Sequence, residues 1–333
     1  MEKTYAYKNT EDILKKSSSG GAFWGIAETF FDNEGGGICY GAKFNSNFQV
    51  IHSPAHSLIE CRDFRGSKYV QSNIGNCFKE IHDLLSKEGI KILFTGTPCQ
   101  VAAIKQYMIN KKVNLKNLYT VDIVCHGTPS PLVWADFVNY LEKSHHSKLK
   151  VFSFRYKEHG WKGYPIYAEF ENGEKYINTL EISTYQNMFR KNLLMREACF
   201  HCPYPGKFQS DMTICDFWGV EICAPQIDTK NGVSLIQVHT EKGSKILSKM
   251  KNKQGVILQE IVDDRYKKYN HNLVESTIRP ENYDVFWEDY RSKGMEYILC
   301  KYGDKNIIGK IKFYSKDFLR KSGIVDKIKK IVR

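Results

Sequence analysis

The chain has 333 residues, 42% hydrophobic and 26% charged, with a formal net charge of +12. That length suits roughly two domains of about 150 residues each and leaves ample material for a core. No apolar run approaches the roughly 20 residues of a membrane span, and Met1-Glu2-Lys3-Thr4-Tyr5 lacks the apolar stretch of a signal peptide, so a cytoplasmic protein is expected.

Ten cysteines in a reducing compartment point to metal, cluster or redox chemistry rather than to a disulfide framework. The excess charge is uneven. From Lys301 to Arg333 eleven Lys and Arg stand against three Asp, a balance of +8, which leaves +4 for the rest.

In chain order, Ser17-Ser18-Ser19-Gly20-Gly21 precedes Ala22–Phe31, where Phe23, Ile26, Ala27, Phe30 and Phe31 recur at helical spacing. Gly37–Ala42 reads as a strand. The loop Gly66-Ser67-Lys68-Tyr69-Val70-Gln71-Ser72 opens a helix carrying Ile74, Phe78, Ile81, Leu84 and Leu85. A strand at Lys91–Thr95, a helix at Val101–Tyr107, a strand at Leu118–Val124 and a helix from Ser130-Pro131 follow. This alternation predicts a parallel sheet. From about residue 150 the pattern becomes α+β, with strands at Val151–Tyr156, Ile166–Phe170 and Glu174–Ile177 around the hairpin signal Asn172-Gly173. A helix at Thr184–Leu194 and strands at Met212–Ile214, Ser234–His239 and Val256–Glu260 complete it. The expected fold is α/β, a parallel-sheet N-terminal half with an α+β second half carrying a Cys-x-x-Cys knuckle. The expected regions are 1–145, 146–265 and a helical, basic extension over 266–333. In that extension Ile324, Val325, Ile328, Ile331 and Val332 share a helical face with the lysines largely off it, a pattern suited equally to an anionic membrane surface and to packing on the body.

The candidate chemistry begins with Cys199-Phe200-His201-Cys202. One Cys-x-x-Cys supplies two of the four ligands that structural zinc and iron–sulfur clusters usually need. Cys99 in Thr97-Pro98-Cys99-Gln100 and Cys125 in Cys125-His126-Gly127 each follow a strand-like run, where a parallel sheet presents its binding groups. A local zinc site of Cys199, Cys202, Cys215 and Cys223 stays open beside them, which would make the protein a binding module. Asp122 inside a strand is unusual for plain core, and His126 is placed to hydrogen-bond a cofactor or a cluster sulfur. The Ser17–Gly21 and Gly66–Lys68 loops open helices, where backbone N–H groups favour phosphate, and Lys68 suits a phosphate or an anionic flavin. Neither loop is a G-x-G-x-x-G or a P-loop.

Taken in order, Ser18-Ser19-Gly20-Gly21, Gly66–Ser72, Gly96-Thr97-Pro98-Cys99-Gln100-Val101, Val121–Gly127 and Asp216-Phe217-Trp218-Gly219 resemble the coenzyme F-420 hydrogenase/dehydrogenase beta-subunit family. Phe154-Arg155-Tyr156-Lys157, Gly160-Trp161-Lys162 and Lys230–Ser234 are similar too, so the resemblance runs from about Lys16 to Thr240. It implies an iron–sulfur flavoprotein oxidoreductase with FAD and a 4Fe–4S cluster, exchanging electrons between a deazaflavin of the coenzyme F-420 type and a redox partner protein or small acceptor. The implied cluster ligands are Cys99, Cys125, Cys199 and Cys202. The implied flavin residues are Ser17, Ser18, Ser19, Gly20, Gly21, Gly66, Ser67, Lys68, Tyr69, Gly96, Thr97 and Asp122, with Lys68 and His126 as the catalytic candidates. A family member recruited to modify a sugar or polysaccharide precursor is the second expectation. No nucleic-acid partner is expected.

Overall fold

The computed structural model describes residues 3–33, 37–87, 89–157 and 160–305, with 309, 311 and 315. The apolar stripe expected between Ile324 and Val332 lies outside them. In chain order the elements are β1 (Lys3–Lys8), α1 (Glu11–Lys15), α2 (Ala22–Asn33), β2 (Ile38–Phe44), β3 (Val50–Ala55), α3 (Cys77–Leu85), β4 (Ile92–Gly96), α4 (Pro98–Asn110), β5 (Leu118–Ile123) and α5 (Pro131–Ser144). There follow β6 (Leu149–Ser153), β7 (Tyr167–Phe170), β8 (Lys175–Ile177), α6 (Leu180–Arg190), β9 (Met212–Asp216), α7 (Val220–Cys223), β10 (Ser234–Val238), α8 (Glu241–Lys251), β11 (Ile257–Ile261) and α9 (Tyr283–Lys301).

Two compact units interleave along the chain. One comprises the residues up to Pro131, Ser153–Pro165 and Met195–Ile278; the other comprises Leu132–Phe152, Ile166–Leu194 and the chain from Arg279 onward. The first unit holds an eight-stranded sheet in the order β11-β1-β10-β9-β5-β4-β2-β3. Its middle strands β9, β5, β4 and β2 run parallel. Antiparallel strands extend it on both sides, β3 beyond β2, and β10, β1 and β11 beyond β9.

Side-chain alternation explains the layering. Ile92 and Phe94 of β4 pack with Ile81 of α3 and Val101, Ile104 and Met108 of α4. Leu93 between them faces Ile26 and Phe30 of α2 and Ile246 and Met250 of α8. Strands covered on both faces read as continuous apolar runs, which made β4 and β5 legible. β1 and β3 were not expected. β1 carries lysine at both ends yet lies between β10 and β11, with Ala6 and Tyr7 fully buried. β3 is an edge strand bearing His52 and Pro54, a composition that masks a strand.

The second unit contains the antiparallel sheet β6-β7-β8 and the helices α5, α6 and α9. The expected Asn172-Gly173 hairpin joins β7 to β8, with Gly173 at φ +88°. Trp134, Phe137 and Tyr185 form its aromatic core. α8 was not expected, whereas α9 lies within the stretch read as a helical extension; it is broken at Gly294, whose φ of 77° leaves the helical region. Among the described residues no helix is long and apolar enough to cross a membrane.

Candidate functional site

Parallel strands end on one edge, and there the chain turns through three of the motifs quoted above. Gly96-Thr97-Pro98-Cys99 leaves β4, Val124-Cys125-His126-Gly127 leaves β5, and Asp216-Phe217-Trp218-Gly219 leaves β9. Pro98 opens α4, and the Thr97 N–H donates to the Gln100 side chain at 3.0 Å, which fixes the turn that carries Cys99.

The structure gathers the four expected thiols. Cys125 feels the charge of Cys99, Cys199 and Cys202, and Cys202 feels that of Cys99 and Cys199. Burial, reinforced by these neighbours, pushes the Cys125 thiol up to about 12. Donors already point at the sulfurs. The Gly127 N–H reaches Cys125, the Tyr204 N–H reaches Cys202, and the Thr128 N–H lies 3.5 Å from Cys199 Sγ. The Thr97 hydroxyl lies 3.1 Å from Cys99 Sγ. A thiol is a weak acceptor, so donors around these four sulfurs, Cys99 exposed and the other three half-buried, suit thiolates compensated by a cation. Gly127 makes the approach feasible: at φ +128°, an added Cβ there would sit 2.6 Å from Met195 Sδ. Cys215 and Cys223 are elsewhere. Cys215 packs around Phe217 and feels Asp216, while Cys223 takes the Tyr266 N–H beside Asp263 and Arg265. Neither joins Cys199 and Cys202.

The two small-residue loops meet each other. Ser18 Oγ accepts from the Ser67 N–H at 2.8 Å and lies 3.1 Å from the Ser67 hydroxyl. Arg65 donates to the carbonyls of Ile13 and Lys16. Gly20 cannot be replaced, because an added Cβ would lie 2.2 Å from the Tyr7 carbonyl oxygen. Ser17 and Ser19 spend their hydroxyls on the carbonyls of Ile13 and Val233. Lys68 donates to the carbonyls of Arg65 and Gly66 at 3.0 and 3.1 Å, and burial lowers its ammonium to about 8.

Other expected residues have settled partners. Asp122 is buried in register with Gly96 and accepts from the Thr213 hydroxyl at 2.5 Å. Burial lifts its carboxyl to about 6 against hydrogen bonds from Thr213 and Ser210. This network lies between β5 and β9 and is separate from the contacts of the two loops. His126 Nδ1 lies 2.9 Å from Asn272 Oδ1. Thr277 donates to the His126 carbonyl and accepts from Asn272 Nδ2 at 3.0 Å. Asn272 Oδ1 must therefore accept from His126 Nδ1–H.

Residues 89–264, more than half of the chain, match the family described as the C terminus of the coenzyme F420 hydrogenase/dehydrogenase beta subunit. The chain belongs to this beta-subunit family. A solved F420-reducing NiFe hydrogenase complex from Methanosarcina barkeri, studied by xenon derivatization, contains a chain of similar fold, with a TM-score of 0.55 and 16% identity over 88% of this chain and 93% of that one. No curated protein matches. A redox function like that of F-420 hydrogenase beta subunits follows from the family.

Beta-subunit motifs that carried no role in the sequence reading organise the site. Arg155 grips Asp216 with two hydrogen bonds, 2.7 and 3.2 Å, and donates to the Ser18 carbonyl at 3.1 Å. Its guanidinium lies 4.2 Å over the Tyr164 ring. Trp161 Nε1–H donates to Asp216 at 3.0 Å, and its indole stacks on Trp218 at 4.4 Å. Lys157 donates to the carbonyls of Ser19, Leu14 and Asn231. Burial, with repulsion from Arg155, lowers the Lys157 ammonium to about 7. The available signal was a pair of basic residues two apart beside an aromatic-rich run, but Arg155's partner Asp216 lies 61 residues on in sequence.

Proposed function

We propose that this beta-subunit family member is an iron–sulfur flavoprotein oxidoreductase that exchanges electrons between a deazaflavin of the coenzyme F-420 type, FAD and a 4Fe–4S cluster. The observation that carries the reading is the gathering of Cys99, Cys125, Cys199 and Cys202 from three separate stretches, with donors already directed at the sulfurs.

A flavin trades electrons in pairs and a cluster one at a time, so a protein holding both couples hydride chemistry to single-electron traffic. The four thiolates would hold the cluster. The Ser17–Gly21 and Gly66–Tyr69 loops would hold the flavin, with Lys68 beside its anionic parts. Arg155 and Lys157 brace the first loop through Ser18 and Ser19 and place positive charge behind it.

Anaerobically purified protein tests this directly. Iron, sulfide and extracted flavin should be present. Cys99→Ser and Cys199→Ser should each lose most of the iron and the brown absorbance, whereas Cys215→Ser and Cys223→Ser should keep both. Loss of iron in the latter pair alone would instead favour the local zinc-type site.

A further inference from the structure

His52 stands at the same sheet edge and has no part in holding the thiols. It lies opposite Ala42 of β2, two residues beyond the Tyr40–Phe94 pair joining β2 to β4. The residue is only 6% exposed, and its ring stacks on Phe94 with centroids 5.3 Å apart and planes at 16°. Nε2 lies 3.0 Å from the Thr95 carbonyl oxygen. A carbonyl only accepts, so Nε2 carries the proton and donates, and Nδ1 of the neutral ring is a lone-pair acceptor. Nδ1 is buried and has no hydrogen-bond partner. Burial holds the ring neutral, against the pull of Thr95 and with help from the nearby Lys68 ammonium.

The surroundings tie this orphan to the Gly66–Tyr69 loop. The chain running on from that loop lies along β3, where the His52 N–H donates to the Asn73 carbonyl and the Asn73 N–H to that of Val50. Gln100, which caps the Cys99 turn, donates to Ser72 at 2.8 Å. Lys68 uses two of its three ammonium hydrogens on its own loop. A buried acceptor within electrostatic reach of an ammonium is complementary to a heterocyclic imide, whose N–H lies between two carbonyl oxygens.

We propose that His52 Nδ1 accepts the imide N–H on the pyrimidinedione edge of a flavin-type ring, with the Lys68 ammonium beside a carbonyl of that edge. The inference rests on the flavin reading above and names the residue that reads the ring. FAD and a 5-deazaflavin share this edge. A site built around such a hydrogen bond rejects an analogue that lacks it.

Full-length, cluster-replete protein stripped of flavin is titrated with FAD, with N3-methyl FAD and with a 5-deazaflavin and its N3-methyl analogue, following fluorescence. The wild type should prefer the N–H form over the methylated form of its ring by about tenfold. A preference confined to the deazaflavin pair assigns the edge to the substrate; one in the FAD pair assigns it to the cofactor. His52→Gln keeps a donor for Thr95 and carries its own acceptor oxygen away from the Nδ1 position, so it should weaken binding about tenfold and abolish the preference. His52→Asn keeps an acceptor near the Nδ1 position and should bind more tightly than His52→Gln. A merely structural role for His52 gives the opposite order. Wild-type protein that binds FAD or deazaflavin but accepts the methylated ring equally well overturns this inference alone. Protein that binds neither ring overturns the flavin reading with it.

Discussion

Arg155 and Asp216 show how one buried pair can hold a site in place. The Arg155 side chain is 3% exposed and that of Asp216 18%, so the two charges are largely withdrawn from water and depend on each other. Removing one partner strands the other, and Asp216→Asn should destabilise the protein by about 3 kcal/mol in urea unfolding and loosen the Ser18 loop. Asp122 makes the opposite demand. Its native carboxyl titrates near 6 because it is buried, against an ordinary value of 3.8. Between these values the native state keeps a proton that the unfolded chain has released, so stability falls as pH rises through that window. The decline should be about 3 kcal/mol, and Asp122→Asn should flatten it in urea midpoints measured from about pH 4 to pH 6.

At the level of elements, the turn after β5 depends on a residue without a side chain. Gly127→Ala would drive a methyl into Met195 and toward Cys199, whose Cβ lies 3.5 Å from the added carbon, at a φ that alanine resists. The expected outcome is protein with most of its iron lost and its flavin retained, read by iron analysis and flavin extraction. The turn before α4 offers a milder test. Gln100→Ala removes both the bond from the Thr97 N–H and the donor to Ser72, and should cost about 1–2 kcal/mol in thermal or urea unfolding. Sequence reasoning reached these elements because local signals announce them: apolar runs for β4 and β5 and cysteines just past strand ends, although it began the helix at Val101 where the structure opens α4 at Pro98. It missed what pairing at long range decides. Nothing local in Lys3–Lys8 says that it will lie between β10 and β11, and nothing near His52 says that one ring nitrogen will go without a partner. Arg155 stood in a quoted motif, but its role became visible only with Asp216 beside it.

For the molecule as a whole, the four thiols make any bound cluster a staple between α4, the β5 exit and the Cys199–Cys202 knuckle. A ligand held only by the folded form stabilises it by mass action, so oxidative bleaching of the cluster should lower the unfolding midpoint of the protein, followed by calorimetry before and after iron removal. Cys99→Ser should reproduce most of that loss without oxidant. The sheet's order has a consequence for how the chain is made. β1 leads the described chain, yet both its neighbours, β10 and β11, come near the other end of the first unit. Thr4 meets Tyr266 across 262 residues of sequence, and Lys8 meets Asp228 across 220. At about 5–20 residues per second, a ribosome needs roughly ten to fifty seconds to supply those partners. Throughout that interval the Lys3–Lys8 strand stands with both hydrogen-bonding edges open, a segment that calls for a chaperone's cover during synthesis.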